Sequence, residues 1–173
     1  KVFKDSKLRS VIISEEYKFW KFISGKKYLN QEMISLDQRL LKNFYLNKGY
    51  YDIEINSSFA RLINDDEFEL IYNINSNQKH IFNKLTLSIP SDFEPNNFIN
   101  LRKKLDELKG QIYSINSVQE ILENIEEVTL YDEYKSINAL VEEDIVDNKI
   151  NLNFIIEEMP KIFVERINIL GNN

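Results

Sequence analysis

Hydrophobic residues recur at steps of three and four positions in four stretches of the chain, which is the spacing of amphipathic helices. The longest series lies between a cap candidate, Asn30, and Gly49, and its apolar members are Met33, Leu36, Leu40, Leu41 and Phe44. The other three predicted helices lie at residues 6–13, 98–108 and 118–125. The cap candidates of the last one are Asn116 and Ser117.

Apolar and polar residues alternate in the segments that follow, with the two-residue period of half-buried strands. The first predicted strand covers residues 51–62, and its alternating members are Tyr51, Ile53, Ile55, Ser57 and Phe59. A turn at residues 64–66 leads to a second strand with Phe68, Leu70, Tyr72 and Ile74, and a third strand covers residues 81–89. Pro90 and Pro95 then interrupt regular structure, and the same order of elements begins again.

The second helices of the two halves align best at a spacing of 85 residues, and the strands align at a spacing of 82 residues. The spacing takes Phe68, Leu70, Tyr72 and Ile74 to Ile150, Leu152, Phe154 and Ile156. It also takes Ile55 to Ile137 and Phe59 to Val141, with no gap through the hairpin. A repeat of about 80 residues is too long for a solenoid unit, so each copy should have its own small core. We predict one domain at residues 1–79, a second at 80–160, and the opening strand of a further repeat at 161–173.

The net charge, the cysteine content and the length of the apolar runs exclude several classes of function. The 173 residues carry a net charge of −6, which argues against nucleic acid as a partner because that affinity comes from Lys and Arg on phosphates. The absence of cysteine excludes disulfides, thiolate metal sites and cysteine nucleophiles. No apolar run approaches the ~20 residues of a membrane-spanning helix, and the N-terminus has no signal-peptide pattern. We therefore expect a soluble, folded fragment whose parent could still be membrane-bound.

The candidate chemistry is sparse. His80 is the one histidine and has no cysteine partner, so we interpret it as structural and predict no metal site and no cofactor. Acidic runs occur at residues 65–67, 126–127, 142–144 and 157–158, where solvated charge is the ordinary outcome. An acid-residue hydrolase would need two carboxylates that converge in a cleft. No phosphate-binding loop or Ser-His-Asp order is present, so we predict that the protein is not an enzyme.

A cluster of aromatic residues precedes the second predicted helix and consists of Phe19, Trp20 and Phe22. If the cluster is exposed, it would form a patch for a partner protein. If it is buried, it would fill the core under a long connector. The sequence leaves both interpretations open.

Two segments carry a resemblance to a known family. Residues 44–52 run from a helix through Lys48-Gly49-Tyr50 into a strand, and residues 163–172 are an aromatic and hydrophobic strand that ends in Gly171-Asn172. With the repeated order of strand, helix, helix, strand, strand, these segments resemble the POTRA domains of the BamA family, in particular the third and fourth repeats. The second copy departs from the pattern with Leu130-Tyr131-Asp132, and the first with Ser88-Ile89-Pro90, which leaves the subfamily open.

The resemblance implies an α+β fold of two tandem POTRA-like domains, each a three-stranded mixed sheet covered on one face by two antiparallel helices. From the resemblance we also expect that the opening strand of the first domain is missing from this chain. The resemblance also implies the periplasmic portion of a bacterial outer-membrane protein, a parent anchored by a C-terminal barrel, and a role in outer-membrane protein assembly. Its expected partners are unfolded outer-membrane protein clients and accessory lipoproteins. Related barrel transporters of two-partner secretion or of organelles, and a structural spacer without clients, are the alternatives.

The resemblance implies that clients are bound by β-augmentation, in which a visiting strand pairs with a free sheet edge. The edge is formed by the first strand of each hairpin, at residues 51–62 and 133–143. The expected edge residues are Tyr51, Ile53, Ile55, Ser57, Phe59, Ile137, Ala139 and Val141. An edge strand is also a by-product of any small open sheet, and charges such as Asp52 and Glu54 could discourage pairing.

Overall fold

The computed structural model describes residues 2–14, 31–64, 67–131 and 137–159. Its elements in chain order are α1 (Asp5–Arg9), α2 (Gln31–Leu46), β1 (Glu54–Asn64), β2 (Glu67–Asn75), β3 (Ile81–Ser88), a 3₁₀ turn (Pro95–Phe98), α3 (Ile99–Leu108), α4 (Ile115–Tyr131), β4 (Ile137–Val146) and β5 (Lys149–Glu158). Helices and strands of one chain share the same cores, so the predicted α+β class is confirmed. None of the described helices is both long and apolar enough to cross a bilayer.

The first helix is shorter than predicted. α1 ends at Arg9, whereas the sequence pattern extended it to residue 13. Ser10 donates its hydroxyl to the Lys7 carbonyl, 2.7 Å away, which competes with helix continuation. The Ile13 N–H then donates to the carboxylate of Asp37 on α2, 2.9 Å away, instead of to a helical carbonyl.

The three longer helices were predicted, and their ends show how each one stops or starts. α2 is followed by Gly49 at φ +92°, and α3 by Gly110 at φ +79°, conformations that favour glycine. The predicted caps of α4 are wrong, because Asn116 lies in its first turn and so does Ser117. The residue that caps it locally is Ser114, whose Oγ accepts from the Ser117 N–H at 3.4 Å.

The first sheet consists of β1 and β2, paired antiparallel. β1 begins at Glu54, three residues later than predicted. The backbone N–H groups of Tyr50 and Tyr51 are used in the turn after α2, where they donate to the carbonyls of Tyr45 and Gly49. Tyr51 and Ile53 therefore do not belong to the strand.

The second sheet has the strand order β3-β5-β4. β3 pairs parallel with β5, and β4 pairs antiparallel with β5 without a shift in register. The β1–β2 pair shifts twice, between Ile55 and Ser57 and between Leu62 and Asn64. The prediction of one constant spacing through both hairpins is therefore wrong, because irregularities of the β-bulge kind in β1 have no counterpart in β4.

The described core consists of two clusters. The larger one packs α3 and α4 against the second sheet and includes the inward side chains of β5, which are Ile150, Leu152, Phe154 and Ile156, all at most 4% exposed. The smaller one joins Tyr45, Tyr50 and Ile53 to the edges of Phe3 and Phe44. Leu46, at the end of α2, packs against both clusters, so the two cores meet there.

Candidate functional site

β4 is the end strand of the second sheet. β5 covers one of its sides, and within the described part of the chain no strand covers the other. In an antiparallel pair, alternate residues direct their N–H and C=O groups away from the partner strand. About half of the backbone groups of β4 therefore face outward and can pair with a further strand.

The two faces of β4 have different surroundings. Ile137, Ala139 and Val141, the edge residues that the sequence predicted here, are half-buried and pack against the larger core cluster. The side chains of the opposite face are exposed, and they are Asn138, Leu140, Glu142, Asp144 and Val146. A visiting strand would meet apolar side chains on one face and mainly polar or acidic ones on the other.

Two asparagines of β5 set the positions of carboxylates on β4. The Asn153 amide accepts from Thr86 and Ser88 on β3, at 2.9 and 3.1 Å, and donates to Glu142 Oε2 at 3.2 Å. One rung further along the sheet, the Asn151 amide accepts from Asn83 at 2.7 Å and donates to Asp144 Oδ2 at 3.0 Å. Each rung crosses all three strands and ends on a carboxylate of the edge strand.

These rungs line a shallow depression of about 600 Å³ on the outer face of the sheet. Its charged lining includes Glu142, Asp144 and Lys84. Among the described residues, no group of three His, Cys, Asp or Glu side chains could hold a metal ion. The depression is negatively charged and open, and the two edge carboxylates are held by neutral amides.

β1 is the corresponding strand of the first sheet and contains Ile55, Ser57 and Phe59. Its partner is β2, and the described residues place no strand on its other side. Of the residues predicted at this edge, Tyr51 and Ile53 lie in the preceding turn, and Ile53 is buried. The β1 edge is therefore shorter at its start than predicted.

The turn after α2 contacts the second core through a hydrogen-bonded asparagine that the sequence did not single out. Asn47 Oδ1 accepts from the Asn116 N–H and from the Ser114 hydroxyl, both at 2.9 Å. Asn47 Nδ2 donates to Asn116 Oδ1 at 3.0 Å. A residue 69 positions earlier in the chain thus satisfies a free N–H at the start of α4, which is the role of a helix cap.

Gly49 lies against the same region. Its carbonyl accepts from the His80 N–H at 2.8 Å. A Cβ atom at this position would lie 2.6 Å from Ile112 Cγ2 and 3.3 Å from the His80 carbonyl oxygen. We call this region the junction, and its members are Asn47, Gly49, Tyr51, His80, Ile112, Tyr113, Ser114, Asn116 and Glu143.

Tyr51 links the junction to β4. Its hydroxyl donates to Glu143 Oε2, and its ring packs edge-on against Tyr113 with the ring centres 5.2 Å apart. Burial, followed by the hydrogen bond and the negative charge of Glu143, raises the pKa of Tyr51 to about 12. Burial and the charge of Glu143 also raise the pKa of Tyr113. Both phenols are therefore neutral over the physiological range.

His80 is fully buried in the junction, although the sequence placed it among polar residues. Neither ring nitrogen has a hydrogen-bond partner. Nε2 lies 3.2 Å from Oδ2 of Asp52, which is close enough for an ion pair but does not have the alignment of a hydrogen bond. The ring centre is 5.8 Å from that of Tyr51, so packing rather than hydrogen bonding holds the imidazole.

Asp37 is a second buried polar residue that the sequence analysis missed. Its Oδ1 accepts from the N–H groups of Ile13 and Ser14, and its Oδ2 accepts from the Tyr72 hydroxyl at 2.9 Å. Burial, followed by the hydrogen bond to Asp37, raises the pKa of Tyr72. A carboxylate within an apolar helical period is the sequence signal that could have identified it. These bonds attach the segment after α1 and strand β2 to α2.

Other predicted features lie beyond the part of the chain that can be described. The aromatic cluster of Phe19, Trp20 and Phe22 falls in residues 15–30, outside the described ranges. The same holds for the proposed opening strand at 161–173. Of the acidic runs, Glu126 and Glu127 are exposed on α4, and Glu157 and Glu158 are exposed at the end of β5.

Comparisons with known proteins identify the class. The POTRA family model, described as a surface antigen variable number repeat, matches residues 1–77. The whole chain superimposes on the crystal structure of Haemophilus influenzae BamA POTRA3-5 with a TM-score of 0.65 and 14% identity, covering 100% of this chain and 68% of that one. The fold is therefore of the POTRA type, as the sequence resemblance implied.

Two curated relatives make the likeness more specific. Both are called outer membrane protein assembly factor BamA, and the one from Neorickettsia risticii (strain Illinois) is 23% identical over 171 residues, or 98% of this chain and 23% of the relative. The one from Buchnera aphidicola subsp. Acyrthosiphon pisum (strain APS) is 25% identical over 179 residues, or 98% of this chain and 28% of the relative. The predicted resemblance to POTRA domains of the BamA family is confirmed. The chain spans about a quarter of the length of these relatives.

Proposed function

We propose that this chain is part of the periplasmic arm of an outer-membrane protein assembly factor and binds unfolded outer-membrane protein clients by β-augmentation. It acts as a scaffold and not as an enzyme. The arm is built here from two tandem POTRA-like domains at residues 1–79 and 80–160, followed by the opening strand of a further repeat. The two sheets and the two core clusters support this division.

The observation that carries the proposal is the end position of β4 in the sheet order β3-β5-β4. An edge strand offers main-chain donors and acceptors that bind any extended backbone, and specificity comes from alternate side chains. This kind of recognition suits a protein that must handle many different clients. β1 is the second candidate edge, at the corresponding place of the first sheet.

The junction gives the arm its geometry. Three contacts join the turn after α2 to the second sheet and its helices. They are the hydrogen bonds that Asn47 accepts, the close approach at Gly49 and the hydrogen bond from Tyr51 to Glu143. Two edges held at a fixed separation can bind one extended client at two points. Two weak contacts on a rigid support give a much higher overall affinity than either alone.

The remaining partners follow from the resemblance. The parent chain is anchored in the outer membrane by a C-terminal barrel, and accessory lipoproteins dock on the arm. Phe19, Trp20 and Phe22 are the proposed patch for a partner protein. An arm of a related barrel transporter would have the same fold with different clients.

A structural spacer is the second candidate, and the junction is the observation that favours it. A spacer requires only that the two units keep a fixed orientation, and the bonds of Asn47 would be sufficient for that. Its edges would then stay free in the presence of clients. Strand binding at β4 distinguishes the two functions.

Nuclear magnetic resonance titration of the isotope-labelled chain with a peptide of ten residues, the length of β4, tests the proposal. The peptide should have the alternating pattern of a barrel strand. We expect the amide shifts to concentrate on Ile137–Val146 and to be smaller on α3. The same peptide with N-methyl groups on alternate residues is the control, because it keeps every side chain but loses the pairing donors. Shifts confined to α3 and α4, or equal shifts with the control peptide, would reject edge capture.

A further inference from the structure

We propose that the β4 edge prefers visiting strands that carry basic residues at two alternate positions on one face. This inference rests on the proposed function, because it assigns a ligand class to the edge at which that function places the client. The preferred occupant is an amphipathic strand with Lys or Arg at positions i and i+2 on its outer face and apolar residues on its inner face.

The spacing of the acidic side chains along β4 is the first step. Glu142 and Asp144 are two residues apart on the exposed face, so they are about 7 Å apart along the strand. In a visiting strand, residues i and i+2 have the same spacing and the same side. Side chains directly opposite each other on paired strands lie about 5 Å apart between Cβ atoms, close enough for opposite charges to attract.

The second step is that both carboxylates are placed before any ligand arrives. Asn153 donates to Oε2 of Glu142 at 3.2 Å, and Asn151 donates to Oδ2 of Asp144 at 3.0 Å. The amides are themselves oriented by donors on β3, because their oxygens accept from Thr86 and Asn83. Each amide engages one carboxylate oxygen, so the other oxygen can accept from a basic side chain. A ligand therefore finds these groups already oriented, which lowers the entropic cost of pairing.

The third step is that Glu143, which lies between Glu142 and Asp144 in the sequence, does not belong to the acidic pair. Glu143 points to the other face, where the Tyr51 hydroxyl donates to its carboxylate. The acidic pair on the outer face is thus distinct from the acidic group that the junction uses. On the inner face the neighbours are Ala139 and Val141, which pack on the larger core and favour apolar side chains in the visitor.

A panel of peptides of ten residues, the length of β4, measures the preference. The peptides share one alternating apolar face and differ at two neighbouring positions of the other face, which are both Lys, both Gln or both Glu. We expect the Lys peptide to bind the full chain roughly five times more tightly than the Gln peptide, and the Glu peptide to bind more weakly than both. Because both charges are exposed, the difference should shrink at high salt.

The variant Glu142→Gln with Asp144→Asn removes both charges and keeps an acceptor for each asparagine. Its matched control is Glu126→Gln with Glu127→Gln, which changes the net charge equally on the exposed face of α4. We expect the first variant to bind all three peptides with similar affinity and the control variant to keep the wild-type order. An N-methylated Lys peptide, which keeps its charge but cannot pair, should not bind.

The outcomes separate this inference from the function on which it rests. Equal affinity of the three peptides for the wild-type chain, with shifts along β4, would overturn the basic preference and leave edge capture standing. A preference that survives in the variant with Glu142→Gln and Asp144→Asn, or that the N-methylated peptide shares, would also overturn it, because general charge attraction would then be the cause. Absence of binding by every peptide would overturn the proposed function as well.

Discussion

Gly49 concentrates two constraints in one residue of the junction. Its φ of +92° favours glycine, and the space where a Cβ would lie is occupied by Ile112 at 2.6 Å. Gly110 has a similar φ of +79° but no atom within 4 Å of its own Cβ position. The pair therefore separates the cost of the backbone conformation from the cost of close contact.

We expect Gly110→Ala to lower the free energy of unfolding by about 1 kcal/mol, the cost of a left-handed alanine. Gly49→Ala should cost at least about 1 kcal/mol more, because overpacking against Ile112 and the His80 carbonyl adds to that conformational cost. Chemical denaturation of the two variants measures the difference. Equal losses of stability would show that the contact at Gly49 carries no energy.

Tyr51 offers a second test at the residue scale. Because its ionised form is disfavoured by burial and by Glu143, its pKa is raised to about 12, above the value of about 10 in an unfolded chain. A raised pKa stabilises the fold fully below about pH 10, and this contribution is lost as the pH rises through 12. The phenolate absorbance of the wild-type chain minus that of Tyr51→Phe should therefore rise near pH 12. A rise near pH 10 would contradict both the burial of the Tyr51 phenol and its contact with Glu143.

At the scale of elements, the start of α4 depends on a residue outside the helix. Asn47 accepts from the Asn116 N–H and from the Ser114 hydroxyl, so it belongs to the turn after α2 but acts on α4. We expect Asn47→Ala to destabilise the protein by roughly 0.5–2 kcal/mol, the usual cost of losing a cap.

The matched control for Asn47→Ala is Asn43→Ala, because Asn43 is an exposed residue of α2. Its change in stability should stay within about 0.5 kcal/mol of zero, as for most surface substitutions. Thermal or chemical unfolding measures both variants. The cap role of Asn47 would be refuted if its loss cost no more than the loss of Asn43.

The elements also show which parts of the fold can be predicted from local pattern. Period and breaker residues were sufficient to place α2, β2 and β5, and in β5 the predicted inward side chains also fill the larger core. They failed where a distant residue competes for a backbone group. Asp37, which lies on α2, accepts a hydrogen bond from the Ile13 N–H. No pattern within residues 6–13 indicates that this bond will end the predicted helix early.

The candidate site was predictable to the same extent. Alternation along residues 137–141 identified the inward side of β4, and the structure places Ile137, Ala139 and Val141 there. The outer rungs were not predictable, because pairing Asn153 with Glu142 requires the register of two strands, and the spacing of 82 residues through the hairpin does not give that register. Tyr51 was assigned to the β1 edge and instead contacts Glu143 on β4.

At the scale of the whole molecule, the unit that contains β1 and β2 differs in its core and in its edge strand from the unit that contains β3, β4 and β5. The first has a small aromatic core around Tyr45 and Tyr50, while the second has the larger core and a regular edge strand without register shifts. The junction ties the first unit to the second through contacts on α4 and β4. The edge of β4 therefore lies in the unit with the larger core, and a strand that is ordered beforehand would lower the entropic cost of the proposed capture.

The measurement that tests this account most directly is the set of nuclear Overhauser contacts between a bound strand peptide and the backbone of the protein. If the free edge of β4 captures strands, the backbone protons of the peptide will lie close to those of Ile137–Val146 in a regular alternating series, with the pairing of β4 to β5 unchanged. A bound peptide whose backbone contacts only α3 and α4, with no such series along β4, would contradict the central claim.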